Sequence, residues 1–402
     1  MNADALPART TADLAYERFR AVRHFGSLDA MRCIAILAVI WQHCPPVPHG
    51  TTGLTDIGAS GVSLFFVLSG FLITTLLLRE APDVSAISLR DFYIRRALRI
   101  FPLYYAVLGL YTLLVLLLER NAAGDLFLRN LPFYLTYTNN WFVDLAPDAE
   151  GRRRVIFIFA WTLATEEQFY MLWPPLLCLL GRTRAAIALG GVVAVTLWAL
   201  WTWGPLNVPV GSFERLVRIL QSPSVQICAG VFLAMALDSR RLFGLLHGAL
   251  GRPWSSPVAA AISVATLFWP GEASTGWFVA LAVAFSALIG SCVIREDHGL
   301  ARFCRPVVLR RIGVVSYGMY LLHMLAINAV RAIMSKAGVE SAVLSFALST
   351  VLAWVAAEIS FRVFETPFLR LKDRFRRHAG SGRDAGPSPA LAQAGVAGGA
   401  SR

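Results

Sequence analysis

Side chains that can move protons or bind anions stand inside the most apolar stretches of this sequence. Arg32 and His43 lie in the stretch 28–46, with ten residues between them. Eleven steps of about 100° bring the two side chains to nearly the same face of a helix, about 16 Å apart. Asp29 stands one turn below Arg32 and can pair with it. Because imidazole exchanges protons near neutral pH, this face is a candidate proton-transfer site. An Arg-Asp clamp at the membrane interface, with a histidine near the opposite edge, is the alternative.

Three further polar residues are expected at the depth of His43. Counting about 1.5 Å per residue from the predicted span ends places His43, His323 and Glu166 near the middle of a bilayer, with Ser69 at the same level. An ionisable side chain at that depth costs at least about 2.5–3.5 kcal/mol. We therefore expect these groups to surround one hydrated cavity, where they can satisfy one another. For Ser69 considered alone, helix packing is the more common role.

A second cluster of charge is predicted at the inner surface of the membrane. Arg96 and Arg99 stand three residues apart on one helix face, with Arg95 beside them. Planar guanidinium groups bind phosphate through paired hydrogen bonds, so the cluster predicts a pocket for a phosphorylated cytosolic cofactor. Anchoring to anionic lipid head groups is the alternative interpretation.

The elements that must position these residues are transmembrane helices. Of 402 residues, 56% are apolar and only 15% are charged, which leaves too few polar side chains to cover a water-facing surface. The composition predicts an all-α polytopic membrane protein and excludes collagen-like, disulfide-rich and disordered classes. The six cysteines show no metal-binding spacing, and no metal site is predicted. The ten predicted spans are 28–46, 57–78, 100–118, 156–180, 185–213, 219–237, 253–271, 273–294, 312–330 and 341–357.

Basic residues predict the orientation of these spans. With the N-terminus inside, 26 of the 37 lysines and arginines fall in cytoplasmic segments and 8 in outer ones, so both termini are expected in the cytoplasm. This placement explains the net charge of +12 by topology and lipid attraction, and nucleic-acid binding is not expected. We predict a cytoplasmic segment over 1–27, a transmembrane domain over 28–370, and a basic tail over 371–402 that is disordered from 379 onward.

In their order along the chain, six segments resemble the motifs of the acyltransferase family 3 membrane proteins, which O-acylate bacterial surface glycans. The resemblance covers about residues 26–370, and its most specific element is Arg32 followed by His43. Two positions depart from the family pattern: Ala30 replaces a glycine, and Ser63 stands where an acidic residue is common. We expect no soluble esterase-like domain of the kind found in some members. The matching segments are 28–32 with His43, 61–71 (GVSLFFVLSGF), Arg96 and Arg99 before Pro102, 161–170 (WTLATEEQFY), 316–323 (SYGMYLLH) and 365–367 (ETP).

The resemblance implies transfer of an acyl group, usually acetyl, from cytosolic acyl-CoA to a sugar hydroxyl, by a multi-pass protein of the bacterial inner membrane. His43 is then the expected general base on the acceptor hydroxyl, and Arg32 would orient the site or stabilise charge on the thioester oxygen. Glu166 and His323 would orient groups, relay protons or bind sugar hydroxyls. Arg95, Arg96 and Arg99 would bind the phosphates of acyl-CoA, and the supporting residues are Asp29, Ser69 and Glu365.

Other interpretations fit the same residues. A proton-coupled transporter also requires histidine, glutamate and arginine at mid-membrane depth, and a scaffold in a polysaccharide-assembly complex would need no chemistry at all. A covalent acyl intermediate on Ser69 or His43 is compatible with the motifs. The expected partners are membrane lipids, acyl-CoA and a glycan acceptor, whose specificity we place in the outer loops 119–155 and 203–222. The oligomeric state is left open.

Overall fold

The computed structural model of the chain describes residues 11–46, 56–81, 83–143, 155–204, 213–269 and 274–375. All regular structure in these ranges is helical, so the predicted all-α class is confirmed. Short 3-10 turns cover Asp56–Ala59 and Val84–Ala86, and a π-helical turn covers Phe361–Glu365. The α-helices are α1 (Thr11–Ala21), α2 (Gly26–His43), α3 (Ser60–Glu80), α4 (Leu89–Leu118), α5 (Ala122–Leu135), α6 (Asn139–Phe142), α7 (Ala160–Trp203), α8 (Glu214–Gln221), α9 (Val225–Asp238), α10 (Arg240–Leu250), α11 (Ser255–Leu267), α12 (Thr275–Ile294), α13 (Ala301–Cys304), α14 (Val307–Val314), α15 (Ser316–Lys336), α16 (Ala342–Ser360) and α17 (Thr366–Asp373).

Within the described ranges, seven helical segments are long and apolar enough to cross a bilayer. An eighth is formed if α1 and α2, which meet at a bend of 67°, count as one broken span. The segments are thus those of a multi-pass membrane protein, whereas the predicted total of ten and the cytoplasmic position of both termini stay predictions. The seven segments are Ser60–Glu80, Leu89–Leu118, Ala160–Trp203, Glu214–Asp238, Thr275–Ile294, Ser316–Lys336 and Ala342–Lys372.

Helix α7 combines two of the predicted spans. It runs for 44 residues, but Gly181 has φ 73° and ψ 172°, which no helix accommodates. Glycine adopts this conformation without a Cβ clash, so the chain can change direction there. The break falls in the predicted inner turn at 181–184, and it leaves about twenty residues on either side. Glu166 and Glu167 lie in the first half.

Two glycines bring α3 and α9 into backbone contact. A Cβ added to Gly70 would lie 2.0 Å from the carbonyl oxygen of Ile227, and one added to Gly230 would lie 2.1 Å from that of Val67. Small residues at such crossings allow membrane helices to approach closely. The crossing fixes the position of the part of α3 that carries Ser69, whose side chain enters the candidate site described below.

Buried apolar residues form three clusters around the site helices. One joins α2, α4, α15 and α16, a second joins α2, α3, α9 and α12, and a third joins α3, α4, α7 and α9. Helix α14 closes against the start of α2, where a Cβ on Gly313 would lie 1.9 Å from the carbonyl oxygen of Asp29. The end of α17 overlaps the tail predicted from residue 371, and the disordered segment predicted over 379–402 lies outside the described residues.

Candidate active site

Two histidines from helices far apart in the sequence face each other. The ring centroids of His43 in α2 and His323 in α15 lie 4.9 Å apart, at an interplanar angle of 64°. Nδ1 of His43 lies 2.9 Å from the carbonyl oxygen of Val39, and Nδ1 of His323 lies 2.5 Å from that of Tyr320. A carbonyl can only accept, so each neutral ring carries its proton on Nδ1 and keeps its basic lone pair on Nε2. His323 is fully buried, and its Nε2 has no hydrogen-bond partner among the described residues.

An aromatic wall holds His323 in place. The ring of Phe159 lies 5.2 Å from the imidazole of His323. The Tyr320 hydroxyl donates to the carbonyl oxygen of Phe159 at 2.9 Å and lies 2.5 Å from Thr162 Oγ1. These contacts join the start of α7 to α15. Thr162 and Tyr320 stand in the motif segments 161–170 and 316–323, but the sequence predicted no role for either residue.

A second pair joins α3 to α7. The Ser69 hydroxyl donates a hydrogen bond of 2.7 Å to Glu166 Oε1. Glu166 stands four residues after Thr162 on α7, and four residues make about one turn. It is also an electrostatic neighbour of Tyr320, whose ring lies 5.6 Å from that of His323. The structure thus pairs His43 with His323 and Ser69 with Glu166, and Tyr320 is a neighbour of both pairs.

Arg96 is held by two residues of α7. Its guanidinium donates to Glu167 Oε1 at 2.9 Å, and its Cζ lies 3.1 Å from the ring centroid of Tyr170. Both partners are buried. An ion pair combined with stacking on an aromatic face fixes the guanidinium plane. Glu167 and Tyr170 were missed as site residues, although both stand in the segment 161–170 that carried the resemblance.

Arg99 differs from its neighbours because it is exposed and makes no hydrogen bond or ion pair with any described residue. Arg32 and Arg96 are its positively charged neighbours, and Glu365 and Asp29 its negatively charged ones. Arg95, by contrast, donates to Glu80 Oε2 at 2.7 Å and to a main-chain carbonyl near the C-terminal end of the described chain at 2.8 Å. Of the three arginines predicted to bind phosphate, Arg99 has the guanidinium best placed to accept an anion.

The supporting residues surround Arg32 and Arg99. The Arg32 guanidinium lies 3.4 Å from Oδ1 of the buried Asp29, whose other oxygen is 2.9 Å from His24 Nε2. Glu365 ends the π-helical turn and accepts a hydrogen bond of 3.2 Å from Ser360. Asp29 and Glu365 are therefore the carboxylates that offset part of the positive charge around Arg99.

Helix α2 sets the distance between the arginines and the histidines. Arg32 and His43 are eleven residues apart in one helix, which is about 16 Å of rise. Arg32 lies beside the charge of Arg99 and Glu166. The structure therefore groups Arg32 with the arginine cluster and not with the imidazoles.

Comparison with known proteins identifies the family. A family model described as an acyltransferase domain (Acyl_transf_3) matches residues 25–358. The chain is 27% identical over 376 residues to a protein of Staphylococcus aureus (strain COL) named "Putative O-acetyltransferase", covering 88% of this chain and 58% of that protein. It is 27% identical over 382 residues to the peptidoglycan O-acetyltransferase OatA of Listeria monocytogenes, covering 86% of this chain and 56% of OatA.

The chain spans between half and three fifths of the length of these relatives. No solved structure matches it significantly. The family model covers the segments that contain Arg32, His43, Arg96, Glu166 and His323. The chain belongs to the acyltransferase family 3, as its motifs indicated.

Proposed function

We propose that this protein is a membrane O-acyltransferase that moves an acyl group, acetyl in the simplest case, from acyl-CoA to a hydroxyl of a glycan. Membership of an acyltransferase family supports the reaction class. The name of the Listeria relative, a peptidoglycan O-acetyltransferase, supports acetyl as the group and a glycan as the acceptor. The observation that carries the proposal is the pair of imidazoles 4.9 Å apart, each with Nδ1 held by a carbonyl.

The histidine pair supplies the proton transfers. The acceptor hydroxyl attacks the thioester carbonyl carbon while Nε2 of His43 takes its proton. The C–S bond then breaks, and the CoA thiolate leaves with that proton to form the free thiol. Nε2 of His323, whose ring centroid lies 4.9 Å from that of His43, is a second proton acceptor that can relay the proton between His43 and sulfur.

The arginine cluster is the proposed binding site for the donor. Arg99 offers an open guanidinium, with Arg32 and Arg96 beside it to add positive charge. Phosphates bound there would lie about 16 Å from His43 along α2. The extended pantetheine arm of CoA separates its phosphates from its thioester in the same manner. Charge at one end of α2 and proton transfer at the other therefore suit one molecule of acyl-CoA.

Ser69 and Glu166 lie between these two ends. A carboxylate 2.7 Å from a hydroxyl can orient the hydroxyl or accept its proton. In the direct reaction that we favour, the pair orients the thioester; attack by Ser69 itself, with an acyl-serine intermediate, is the covalent version of the same transfer. No metal is assigned to either version.

The distribution of basic residues supports a donor site on the cytoplasmic side. Ten spans result if α2 is counted alone, α7 is divided at Gly181, and the short apolar helix Ser255–Leu267 is included with the remaining six long segments. With basic segments inside, both termini and the arginine cluster then face the cytoplasm of a bacterial inner membrane. Membrane lipids and the glycan acceptor complete the proposed partners.

Labelled acetyl-CoA tests the proposal. Purified protein in detergent should release CoA and transfer label to a glycan, and His43→Ala should do neither while inserting normally. Proteoliposomes that take up a solute without releasing CoA would instead support the proton-coupled transporter. Function that persists in His43→Ala would support a scaffold.

A further inference from the structure

The turn that links α5 to α6 enters the helix bundle beside the candidate active site. It comprises residues 136–140, the last two of which begin α6, and it belongs to the stretch 119–155 predicted for the outer side of the membrane. Asn140 Nδ2 lies 3.3 Å from Thr165 Oγ1, and Thr165 immediately precedes Glu166 on α7. The turn therefore reaches the helix that carries Glu166.

This turn is held rigidly by Gln168. Gln168 Nε2 donates to the carbonyl oxygen of Tyr137 and to Asn140 Oδ1, both at 2.8 Å, and Asn140 returns a hydrogen bond of 3.0 Å to Gln168 Oε1. Tyr137 has φ 54°, a left-handed conformation that residues with a side chain seldom adopt. Its ring stacks on Tyr104 with centroids 4.3 Å apart. Such conformations persist where the surroundings fix them, and they concentrate at binding sites.

Next to the hydrogen-bonded amides of Gln168 and Asn140 lies the side-chain amide of Asn139. Asn139 is fully buried, and neither its Oδ1 nor its Nδ2 has a hydrogen-bond partner among the described residues. The buried hydroxyl of Tyr137 is also without one. Folded proteins pair the large majority of their buried polar atoms, so three unpaired atoms two residues apart in one turn require an explanation. A bound polar ligand provides it.

The unpaired atoms lie close to the residues that connect the two ends of the candidate site. Glu167 and Tyr317 are electrostatic neighbours of the Tyr137 hydroxyl, and Glu167 is the partner of Arg96. A ligand bound at Tyr137 would therefore lie beside the proposed donor site.

We infer that Asn139 and Tyr137 form the subsite that binds sugar hydroxyls of the acceptor. An amide offers a donor and an acceptor side by side, and each sugar hydroxyl both donates and accepts, so neighbouring hydroxyls match the amide of Asn139 in both directions. A phosphate would leave the amide oxygen unpaired, and an acyl chain would leave all three atoms unpaired. Gln168 positions the turn through the backbone of Tyr137 and the side chain of Asn140. The inference rests on the proposed function and names its acceptor class.

Binding of a soluble N-acetylglucosamine tetramer, measured by equilibrium dialysis in detergent, tests the subsite. Wild-type protein should bind it, whereas Asn139→Leu and Tyr137→Phe should each bind it at least tenfold more weakly. Since these two changes remove polar atoms that have no protein partner, the thermal midpoint should stay the same or rise. Asn140→Leu is the matched control: it breaks formed hydrogen bonds and should lower the midpoint.

Each alternative outcome has a separate meaning. Equal tetramer binding by wild type, Asn139→Leu and Tyr137→Phe would overturn the subsite, as would an absence of binding to wild type. A lower thermal midpoint in Asn139→Leu with unchanged binding would make Asn139 a structural residue. If Asn139→Leu raises the KM for acetyl-CoA instead, these atoms bind the donor. If the variants show the expected binding of the tetramer but the wild-type protein releases no CoA, the subsite is supported and the proposed function is refuted.

Discussion

Replacing Arg99 with glutamine should weaken the binding of acyl-CoA without impairing the chemical step. A hydrogen bond between a guanidinium and a phosphate contributes about 1.5–3 kcal/mol. Arg99 is exposed, so solvent screening favours the lower end of that range. About 1.4 kcal/mol corresponds to a factor of ten, and the KM for acetyl-CoA should therefore rise about tenfold with kcat little changed.

Arg95→Gln is the matched comparison. It removes hydrogen bonds of 2.7 and 2.8 Å that tie α4 to Glu80 and to the end of the described chain. We expect it to lower the thermal midpoint while the KM for acetyl-CoA changes much less than in Arg99→Gln. Both variants would be assayed with radiolabelled acetyl-CoA in the same detergent.

Acetyl-pantetheine, which lacks the phosphates of CoA, shows whether a change in KM comes from a contact between Arg99 and phosphate. If Arg99 acts on phosphate, wild type and Arg99→Gln should have equal kcat/KM for this donor, because the interaction is missing in both. An equal loss on both donors would refute the phosphate contact. An unchanged KM for acetyl-CoA in Arg99→Gln would return the residue to lipid anchoring.

Three further outcomes are expected. Gly230→Ala should destabilise the fold by about 1–3 kcal/mol or more because its Cβ would meet backbone 2.1 Å away, whereas Gly109→Ala, with nothing within 4 Å, should not lower the thermal midpoint. Ser69→Ala should reduce kcat about tenfold or more through loss of the charged hydrogen bond to Glu166; a lower thermal midpoint with normal kcat would show that Ser69 serves packing alone. Burial lowers the pKa of His298, in the loop after α12, below its ordinary value near 6.5. The unfolded chain then binds the extra proton, so stability should be full above about pH 6.5 and fall as the pH drops below it. His298→Gln should flatten this part of the thermal-midpoint profile between pH 7.5 and 5, and an unchanged profile would refute the assignment.

Composition and motif order predicted the helical class and the family. Long apolar windows suffice for the helical class, because a bilayer demands helices of a set length, and the ordered motifs indicate the family. The boundaries were less predictable. The expected spans 156–180 and 185–213 form one helix broken only at Gly181, and the expected span 253–271 is represented by the 13 residues Ser255–Leu267. Charge-free windows mark where polar residues stop, whereas helix ends depend on local backbone geometry.

The sequence predicted the shared depth of the histidines, but it missed several neighbours of the candidate site and most of its pairings. Depth counting placed His43 and His323 at one level, and they face each other. The same count could not reveal that Glu167 pairs with Arg96, since two adjacent glutamates point about 100° apart on a helix and only packing selects the one that faces α4. Nor could it foresee Asn139, because an unpaired buried amide has no signature in a single sequence.

The central claim is that His43 moves the proton in an acyl transfer. Turnover of His43→Ala with labelled acetyl-CoA, measured beside its Kd for acetyl-CoA, tests this claim most directly. A general base contributes about a hundred- to ten-thousand-fold to the rate, so kcat should fall by at least a hundredfold while the Kd stays unchanged. Turnover at the wild-type rate in a correctly inserted His43→Ala protein would contradict the account.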